Sequence, residues 1–213
     1  MVGFDTETTG LNVSSGRAIS YGFKVYRFGR PVHDEHFFVV PDCPIVPAAR
    51  RVHGLSLEDI EAKRSTERVL SVEAGLVRAM ELLWHYHQEG AHIVGANLVR
   101  FDLEMLRRSA QSVFGERLSD YGLDLSLLRI IDVIEHDLLI DPSRELRPRR
   151  GLDFLCAHYG VRPGGHDAIG DARATVEVFM EQVIRNNAGQ MNLDLMVPDR
   201  DVEEFLQRGS RSR

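Results

Sequence analysis

Residues 4–11 read Phe4-Asp5-Thr6-Glu7-Thr8-Thr9-Gly10-Leu11, with two carboxylates standing two positions apart. If residues 2–7 form a β-strand, the side chains of Asp5 and Glu7 project from the same face. Neighbouring carboxylates repel each other, and a bound divalent cation is the usual remedy. Taken alone, an Asp-x-Glu pair is more often a solvated edge strand that carries two acids, because short motifs match by chance. The motif therefore needs support from elsewhere in the chain.

A further candidate acid, Asp102, follows a short apolar run at residues 92–96 that predicts a buried strand. The intervening residues are Asn97-Leu98-Val99-Arg100-Phe101, and a helix is predicted over about 99–114. Functional groups often lie at the carboxyl ends of strands in an α/β sheet. On its own, Asp102 is explained more simply as a first-turn acid that complements the helix dipole.

The third signal is His166-Asp167-Ala168-Ile169-Gly170-Asp171-Ala172, which follows a Gly-Gly pair and begins the last predicted helix. The pattern predicts His166 in a loop or cap and Asp171 in the second helical turn. A lone loop histidine is more often a surface residue, and Asp167 has the side chain of a helix cap. Considered together, however, the three segments place four carboxylates and one histidine at the ends of predicted elements. A fold that joins those ends would form an acidic metal site with an adjacent base.

The order of predicted elements indicates an α/β protein with a mixed sheet. Strands are predicted at about 2–7, 18–28, 32–40, 92–96 and 128–131, and helices at 65–89, 99–114, 133–140, 151–159 and 167–186. Three prolines in residues 41–55 favour an irregular connection there. We expect one domain over residues 1–186 and a C-terminal tail, flexible or partner-binding, over 187–213.

Composition places the chain among ordinary soluble globular proteins. It has 213 residues, 32 acidic and 26 basic side chains, a net charge of −6 and 43% hydrophobic residues. No apolar run approaches the ~18 residues of a membrane span, and the N-terminus lacks secretory-signal features. Two cysteines exclude a disulfide framework and favour a reduced, cytoplasmic setting. The acidic balance excludes a protein that coats long nucleic acids through bulk charge.

The three motifs resemble the DEDD superfamily of 3′–5′ exonucleases, in the DnaQ-like DEDDh branch that includes the proofreading epsilon subunit of bacterial DNA polymerase III. The matching pieces are Asp5-Thr6-Glu7-Thr8-Thr9-Gly10-Leu11, Phe101-Asp102 and His166-x-Ala168-x-x-Asp171-Ala172. Val52-His53-Gly54-Leu55 and Gly151-Leu152-Asp153-Phe154-Leu155-Cys156 resemble the segments before the second and third motifs. One departure is Asn97, which stands one residue farther from Phe101 than the family's asparagine usually does. The first strand also begins almost at Met1.

The resemblance implies an RNase H-like fold, with a mixed five-stranded sheet flanked by helices. It implies that Asp5, Glu7, Asp102 and Asp171 hold two Mg²⁺ or Mn²⁺ ions and that His166 acts as general base. Contacts to the terminal nucleotide are expected from Thr8, Thr9, Leu11, His53 and Phe101. For Leu11 and Phe101, a plain core position is an equal alternative.

The function that the resemblance implies is hydrolysis of phosphodiester bonds at the 3′ end of DNA, single-stranded or frayed, to nucleoside 5′-monophosphates. Two alternatives stay open: an exoribonuclease of the same architecture, and a non-catalytic nucleic-acid-binding or polymerase-associated module. A role in DNA replication is not distinguished from one in DNA repair. The basic cluster Arg147-Pro148-Arg149-Arg150, with Arg144, fits either phosphate contacts or a solvated surface. Residues 190–196 resemble the peptides that dock on the sliding clamp, although a generic amphipathic tail is the simpler interpretation.

Overall fold

The computed structural model describes residues 1–115, 124–141 and 151–189. Its sheet is organised around β1 (Val2–Thr8), which pairs antiparallel with β2 (Ala18–Arg27). A tight turn leads from β2 into β3 (Arg30–Val40), again antiparallel, so the predicted hairpin is present. The short strands β5 (His92–Gly95) and β6 (Arg129–Asp132) extend the other side of β1 in parallel. The predicted mixed sheet is therefore confirmed.

The sheet has six strands rather than five, in the order β4-β3-β2-β1-β5-β6. The additional strand, β4 (Val69–Ser71), lies within the segment predicted as helix and pairs in parallel with the end of β3. Three residues are too few to show the two-residue alternation of a strand, and Val69 and Val72 also fit a helical spacing. The following helix begins at Val72, where the Ser71 hydroxyl accepts a hydrogen bond from the amide of Ala74.

Helices cover both faces of the sheet. They are α1 (Pro47–His53), α2 (Leu57–Ala62), α3 (Val72–Gln88), α4 (Asp102–Phe114), α5 (Val133–Ile140), α6 (Leu152–Tyr159) and α7 (Ala168–Gly189). On one face, α3 and α4 pack over an aromatic cluster that includes Phe4, Phe23 and Phe37. On the other face, α5, α6 and α7 enclose a second core that includes Val94 and Ile131. The sheet thus separates two apolar layers.

The prediction of an irregular connection over residues 41–55 is wrong for its second half, because Pro47 begins a helix there. Proline favours the first helical position, since its missing N–H would have no partner inside the helix. Helix α2 begins with a capping box, in which Ser56 and Asp59 exchange side-chain-to-backbone hydrogen bonds. Helix α7 continues to Gly189, three residues beyond the predicted end. The division into a domain and a tail stays a prediction, and the segment from residue 190 lies outside the described residues.

Within the parts of the chain that the structure describes, no helix combines the length and apolar content needed to cross a bilayer.

Candidate active site

Strand β1 presents Asp5 and Glu7 on the face of the sheet that α7 crosses. Across the ladder, Asp5 lies opposite Gly22 and Glu7 lies opposite Ser20. A Cβ atom at Gly22 would lie 2.3 Å from the carbonyl group of Ala168, so any side chain there would collide with α7. The missing side chain therefore lets the N-terminus of α7 approach the acids of β1.

Three carboxylates meet at this approach. Oxygen atoms of Asp5, Glu7 and Asp171 all lie within 4.8 Å of one another. Asp171 stands in the first turn of α7, where the sequence predicted the second, because the helix begins at Ala168. Asp171 and Glu7 are 8% and 9% exposed. Carboxylate oxygens at this density are hard ligands that suit Mg²⁺ or Mn²⁺, so the residues present fit the predicted metal site.

Asp102, the fourth predicted ligand, lies beside this group as the first residue of α4. It is 3% exposed, and its Oδ1 accepts hydrogen bonds from the Thr6 hydroxyl at 2.6 Å and the Thr6 amide at 3.1 Å. Thr6 thus orients Asp102 from the strand that carries Asp5 and Glu7. Thr6 was missed in the sequence, although a hydroxyl between two candidate ligands was a readable signal.

Burial raises the pKa values of all four carboxyls, and repulsion from neighbouring carboxylates adds to the rise. Burial is the largest cause in each case. It raises the pKa of Glu7 to about 8, with repulsion from Asp171 next. It raises the pKa of Asp102 to about 7, against the hydrogen bonds from Thr6. The pKa of Asp5 is raised well above its ordinary value, first by burial and then by repulsion from Asp102 and Asp171. Such a cluster is stabilised by added positive charge, as a bound cation would supply.

His166 lies at the exposed rim of the cluster. Its backbone is left-handed, with φ +57°, and its side chain is 47% exposed. Nε2 lies 3.7 Å from a carboxylate oxygen of Asp153, which is itself 61% exposed. Burial raises the pKa of Asp171 to about 6, and the interaction with the His166 side chain opposes this rise. The imidazole therefore lies within electrostatic range of Asp171 and is open to solvent.

The predicted nucleotide contacts differ in their exposure to solvent. Thr8 and Thr9 are buried, and their hydroxyls form hydrogen bonds with the backbone. The Thr8 hydroxyl donates to the Gly10 carbonyl, and the Thr9 hydroxyl accepts from the Arg17 amide. Leu11 is 86% exposed on the same loop, which excludes a core position for it.

His53 and Phe101 are both partly buried. The His53 Nδ1 accepts a hydrogen bond from the Leu55 amide at 3.0 Å, and burial lowers the pKa of this imidazole. Phe101 immediately precedes α4, and its amide donates to the Asn97 carbonyl.

Asn97 has a backbone explanation. It adopts a left-handed conformation with φ +58°, which asparagine tolerates better than most residues. Its carbonyl accepts a hydrogen bond from the Phe101 amide at 3.0 Å, and Asp132 accepts one from the Leu98 amide at 2.8 Å. The longer spacing between Asn97 and Phe101 thus corresponds to a closed turn that leads into α4. The basic cluster at residues 144–150 and the clamp-like peptide at 190–196 lie outside the described residues.

A model of the exonuclease family RNase_T matches residues 2–179, which include all three motifs. The chain belongs to this exonuclease family. This match confirms the predicted membership of the DEDD exonuclease superfamily. Family membership identifies the domain as a nuclease of the exonuclease class.

Among curated proteins, this exonuclease domain is similar to DNA polymerase III PolC-type from Thermotoga maritima, with 28% identity over 185 residues. The same identity holds for the Thermotoga petrophila protein. The match covers 84% of this chain but 11% of each relative, so the chain spans about a tenth of the length of the curated relatives it matches.

Solved structures share the fold. Escherichia coli Exonuclease I in complex with a dA16 oligonucleotide aligns with a TM-score of 0.64 and 19% identity, covering 86% of this chain and 40% of that one. Exonuclease I from Methylocaldum szegediense aligns with a TM-score of 0.61 and 21% identity, covering 88% and 42%. The predicted RNase H-like α/β fold is confirmed, apart from the additional edge strand.

Proposed function

We propose that this exonuclease domain is a metal-dependent 3′–5′ exonuclease that acts on single-stranded or frayed 3′ ends of DNA and releases nucleoside 5′-monophosphates. The observation that carries the proposal is the meeting of Asp5, Glu7 and Asp171 within 4.8 Å. Ionising such a buried group without a cation is unfavourable, which the raised pKa values express. The donor set therefore supports a cation site rather than a solvated acidic edge.

We assign Asp5, Glu7, Asp102 and Asp171 as ligands of two Mg²⁺ or Mn²⁺ ions. Bound there, the ions would lower the pKa of a water ligand and stabilise charge on the phosphoryl oxygens. Thr6 keeps Asp102 in place through two hydrogen bonds to one oxygen, which leaves the other oxygen of that carboxylate for coordination.

The chemical step requires a base near the attacking water, and we assign His166 to this role. Its half-exposed imidazole would accept the proton as the water oxygen forms a bond to phosphorus. The bond between phosphorus and the 3′-oxygen of the preceding nucleotide then breaks, and that oxygen takes a proton from solvent. The product retains its phosphate on the 5′ carbon.

The terminal nucleotide would be held by the loop that follows β1. Leu11 projects into solvent and offers an apolar surface to a base, while the backbone around Thr8 and Thr9 is fixed for contact with the sugar. We assign His53 and Phe101 as further contacts to the terminal nucleotide. Aromatic and apolar surfaces stack on bases without sequence preference, as an exonuclease requires.

DNA is the proposed substrate because the similar proteins include a DNA polymerase and an exonuclease crystallised with a DNA oligonucleotide. The similarity to a polymerase also supports a role for this domain in association with a DNA polymerase, in replication or in repair. Residues 1–186 would form the catalytic domain, and residues 187–213 a tail that binds a partner. Pull-down with the sliding clamp before and after deletion of 187–213 tests the tail, and clamp binding that survives the deletion rejects it.

The proposed activity is tested with 5′-labelled single-stranded DNA, a mismatched primer–template and RNA, each with Mg²⁺ or with chelator. We expect a ladder of 3′-shortened DNA that disappears with chelator and in Asp5→Ala. Asp34→Ala is the matched control, because Asp34 is an exposed carboxylate paired with Lys24 outside the site. Activity that persists in Asp5→Ala, or degradation of none of the substrates, refutes the mechanism. Degradation of RNA alone would reassign the substrate.

A further inference from the structure

The loop between α6 and α7 determines where His166 lies. It contains Gly164 and Gly165 directly before the histidine, and both Gly165 and His166 have left-handed backbone, with φ +83° and +57°. Glycine adds conformational freedom that must be lost when the loop is ordered. The ion pair between His166 and Asp153 is long and solvent-exposed, so it contributes little to holding the ring. The loop therefore has to be fixed by other contacts.

Arg173, one turn into α7, supplies such contacts. Its Nη2 donates to the carbonyl of Arg162 at 2.8 Å and to the carbonyl of Pro163 at 3.1 Å. Pro163 stands three residues before His166. The neighbouring Gly164 packs directly on α7, where a Cβ atom would lie 2.0 Å from Oδ1 of Asp171. Arg173 thus ties this part of the loop to the helical turn that carries Asp171.

The guanidinium of Arg173 is itself connected to the sheet through other side chains. Its Nη1 pairs with Glu177 one helical turn later, and the side chain is 24% exposed. The other carboxylate oxygen of Glu177 accepts a hydrogen bond from the Tyr26 hydroxyl at 3.1 Å. Tyr26 is 3% exposed and belongs to β2, which pairs with the strand that carries Asp5 and Glu7. A continuous set of contacts therefore links the loop to the sheet whose strand β1 carries Asp5 and Glu7.

We propose that Arg173 is a positioning residue, which holds His166 beside the carboxylates by fixing the carbonyls of Arg162 and Pro163 to α7. The inference rests on the proposed function, in which His166 accepts the proton of the attacking water. Loss of Arg173 would leave the metal ligands in place but release the loop. The chemical step should then slow while substrate affinity changes little, because the proposed nucleotide contacts lie on other segments.

The same helix provides a matched control. Arg185 donates from Nη1 to the His158 carbonyl at 3.0 Å and from Nη2 to the Tyr159 carbonyl at 2.9 Å. These bonds also join α7 to the backbone of the preceding element, but at the end of α6. Arg185→Ala removes the same kind of contact without releasing the residues next to His166.

The decisive experiment is a double-mutant cycle of Arg173→Ala and His166→Ala. It measures single-turnover cleavage of 5′-labelled single-stranded DNA with Mg²⁺. We expect Arg173→Ala to slow the chemical step about tenfold or more, as small misplacements of catalytic groups do. KM should stay nearly unchanged, and Arg185→Ala should cleave at close to the wild-type rate. Because Arg173 acts through His166, adding Arg173→Ala to His166→Ala should cause no further loss. Arg173→Lys, which cannot reproduce the planar fork, replaces the alanine variant if that variant does not fold.

The outcomes separate this inference from the proposed function. An equal loss from Arg173→Ala with and without His166 overturns the inference alone, as does equal cleavage by the Arg173 and Arg185 variants. Near-wild-type turnover of His166→Ala overturns both the base assignment and the inference. Hydrogen–deuterium exchange of the metal-free protein gives a readout without activity. Amides 164–167 should exchange faster in Arg173→Ala than in wild type or Arg185→Ala, and unchanged protection overturns the inference.

Discussion

The substitution Glu7→Gln should stabilise the metal-free protein at pH 8 while it abolishes cleavage. Glu7 is 9% exposed, and burial followed by repulsion from Asp171, Asp167 and Asp102 raises its pKa to about 8 from an ordinary 4.5. Glutamine has nearly the same shape but carries no charge. It removes the cost of ionising this position and also removes one proposed metal ligand.

The sign and size of this stability change follow from proton linkage. Since the folded-state pKa lies above the unfolded one, the folded protein binds the proton more tightly between pH 4.5 and 8. Its stability is therefore highest at the acidic end of that window and is lost as the pH rises. The difference between about 8 and 4.5 corresponds to at most about 5 kcal/mol well above pH 8. Relaxation and water entry lower this figure, and we expect a gain of about 1–3 kcal/mol at pH 8.

Urea unfolding in EDTA at pH 8 and at pH 5 measures the effect. The advantage of Glu7→Gln should shrink at pH 5, where Glu7 is protonated in the folded wild type. It should also shrink with Mg²⁺ at pH 8, because a cation that binds the folded wild type stabilises it by mass action. Glu135→Gln is the control: this exposed carboxylate pairs with Arg100, and its loss should matter by less than about 0.5 kcal/mol. A Glu7→Gln protein no more stable than wild type at pH 8 in EDTA would refute the reasoning.

Three further substitutions test separate parts of the site. Thr6→Val removes the 2.6 Å hydrogen bond to buried Asp102 and should cost about 1–3 kcal/mol at pH 8 in urea unfolding, and less at pH 5, below the pKa of about 7 of that carboxyl. An equal cost at both pH values contradicts this. Leu11→Ala should raise KM for single-stranded DNA with a stability change below about 0.5 kcal/mol, because Leu11 is 86% exposed; unchanged KM removes Leu11 from the proposed contacts. Asn97→Ala should be less stable than Asn97→Gly by about 1 kcal/mol in urea unfolding, because alanine is strained at a φ of +58°. Equal midpoints for the two variants would show that the position is not strained.

The features that sequence predicts well are those that depend on local periodicity. The two-residue alternation of a strand put Asp5 and Glu7 on one face, and the structure places their oxygens together. Apolar runs located the strands at residues 92–95 and 129–132 to within a residue or two. Strand β4 escapes prediction because three residues are too few to show a period, and α1 because Pro47 resembles a helix breaker although it stands at the first helical position.

The features that sequence misses are contacts between distant segments. Thr6 and Asp102 are 96 positions apart, and only the packing of α4 beside the end of β1 brings them into hydrogen-bonding distance. The bonds from Arg173 to the loop likewise depend on where that loop lies. The motifs predicted a set of four acids but not their arrangement, in which Asp102 lies beside the other three rather than among them. Arrangement is set by tertiary packing, which propensity does not encode.

The glycines of the first two strands have an evolutionary consequence. A Cβ atom at Gly3 would lie 1.9 Å from the Ala172 carbonyl oxygen, as one at Gly22 would collide with Ala168. These two positions are therefore constrained by the architecture whether or not the domain cleaves DNA, whereas Asp5 and Glu7 are constrained by the mechanism that we propose. A homologue could lose its acids by single substitutions and gain stability, yet it could not lose these glycines without displacing α7. Under the proposed mechanism, loss of the acids would thus be energetically favourable in the metal-free protein, and selection for cleavage would have to maintain them.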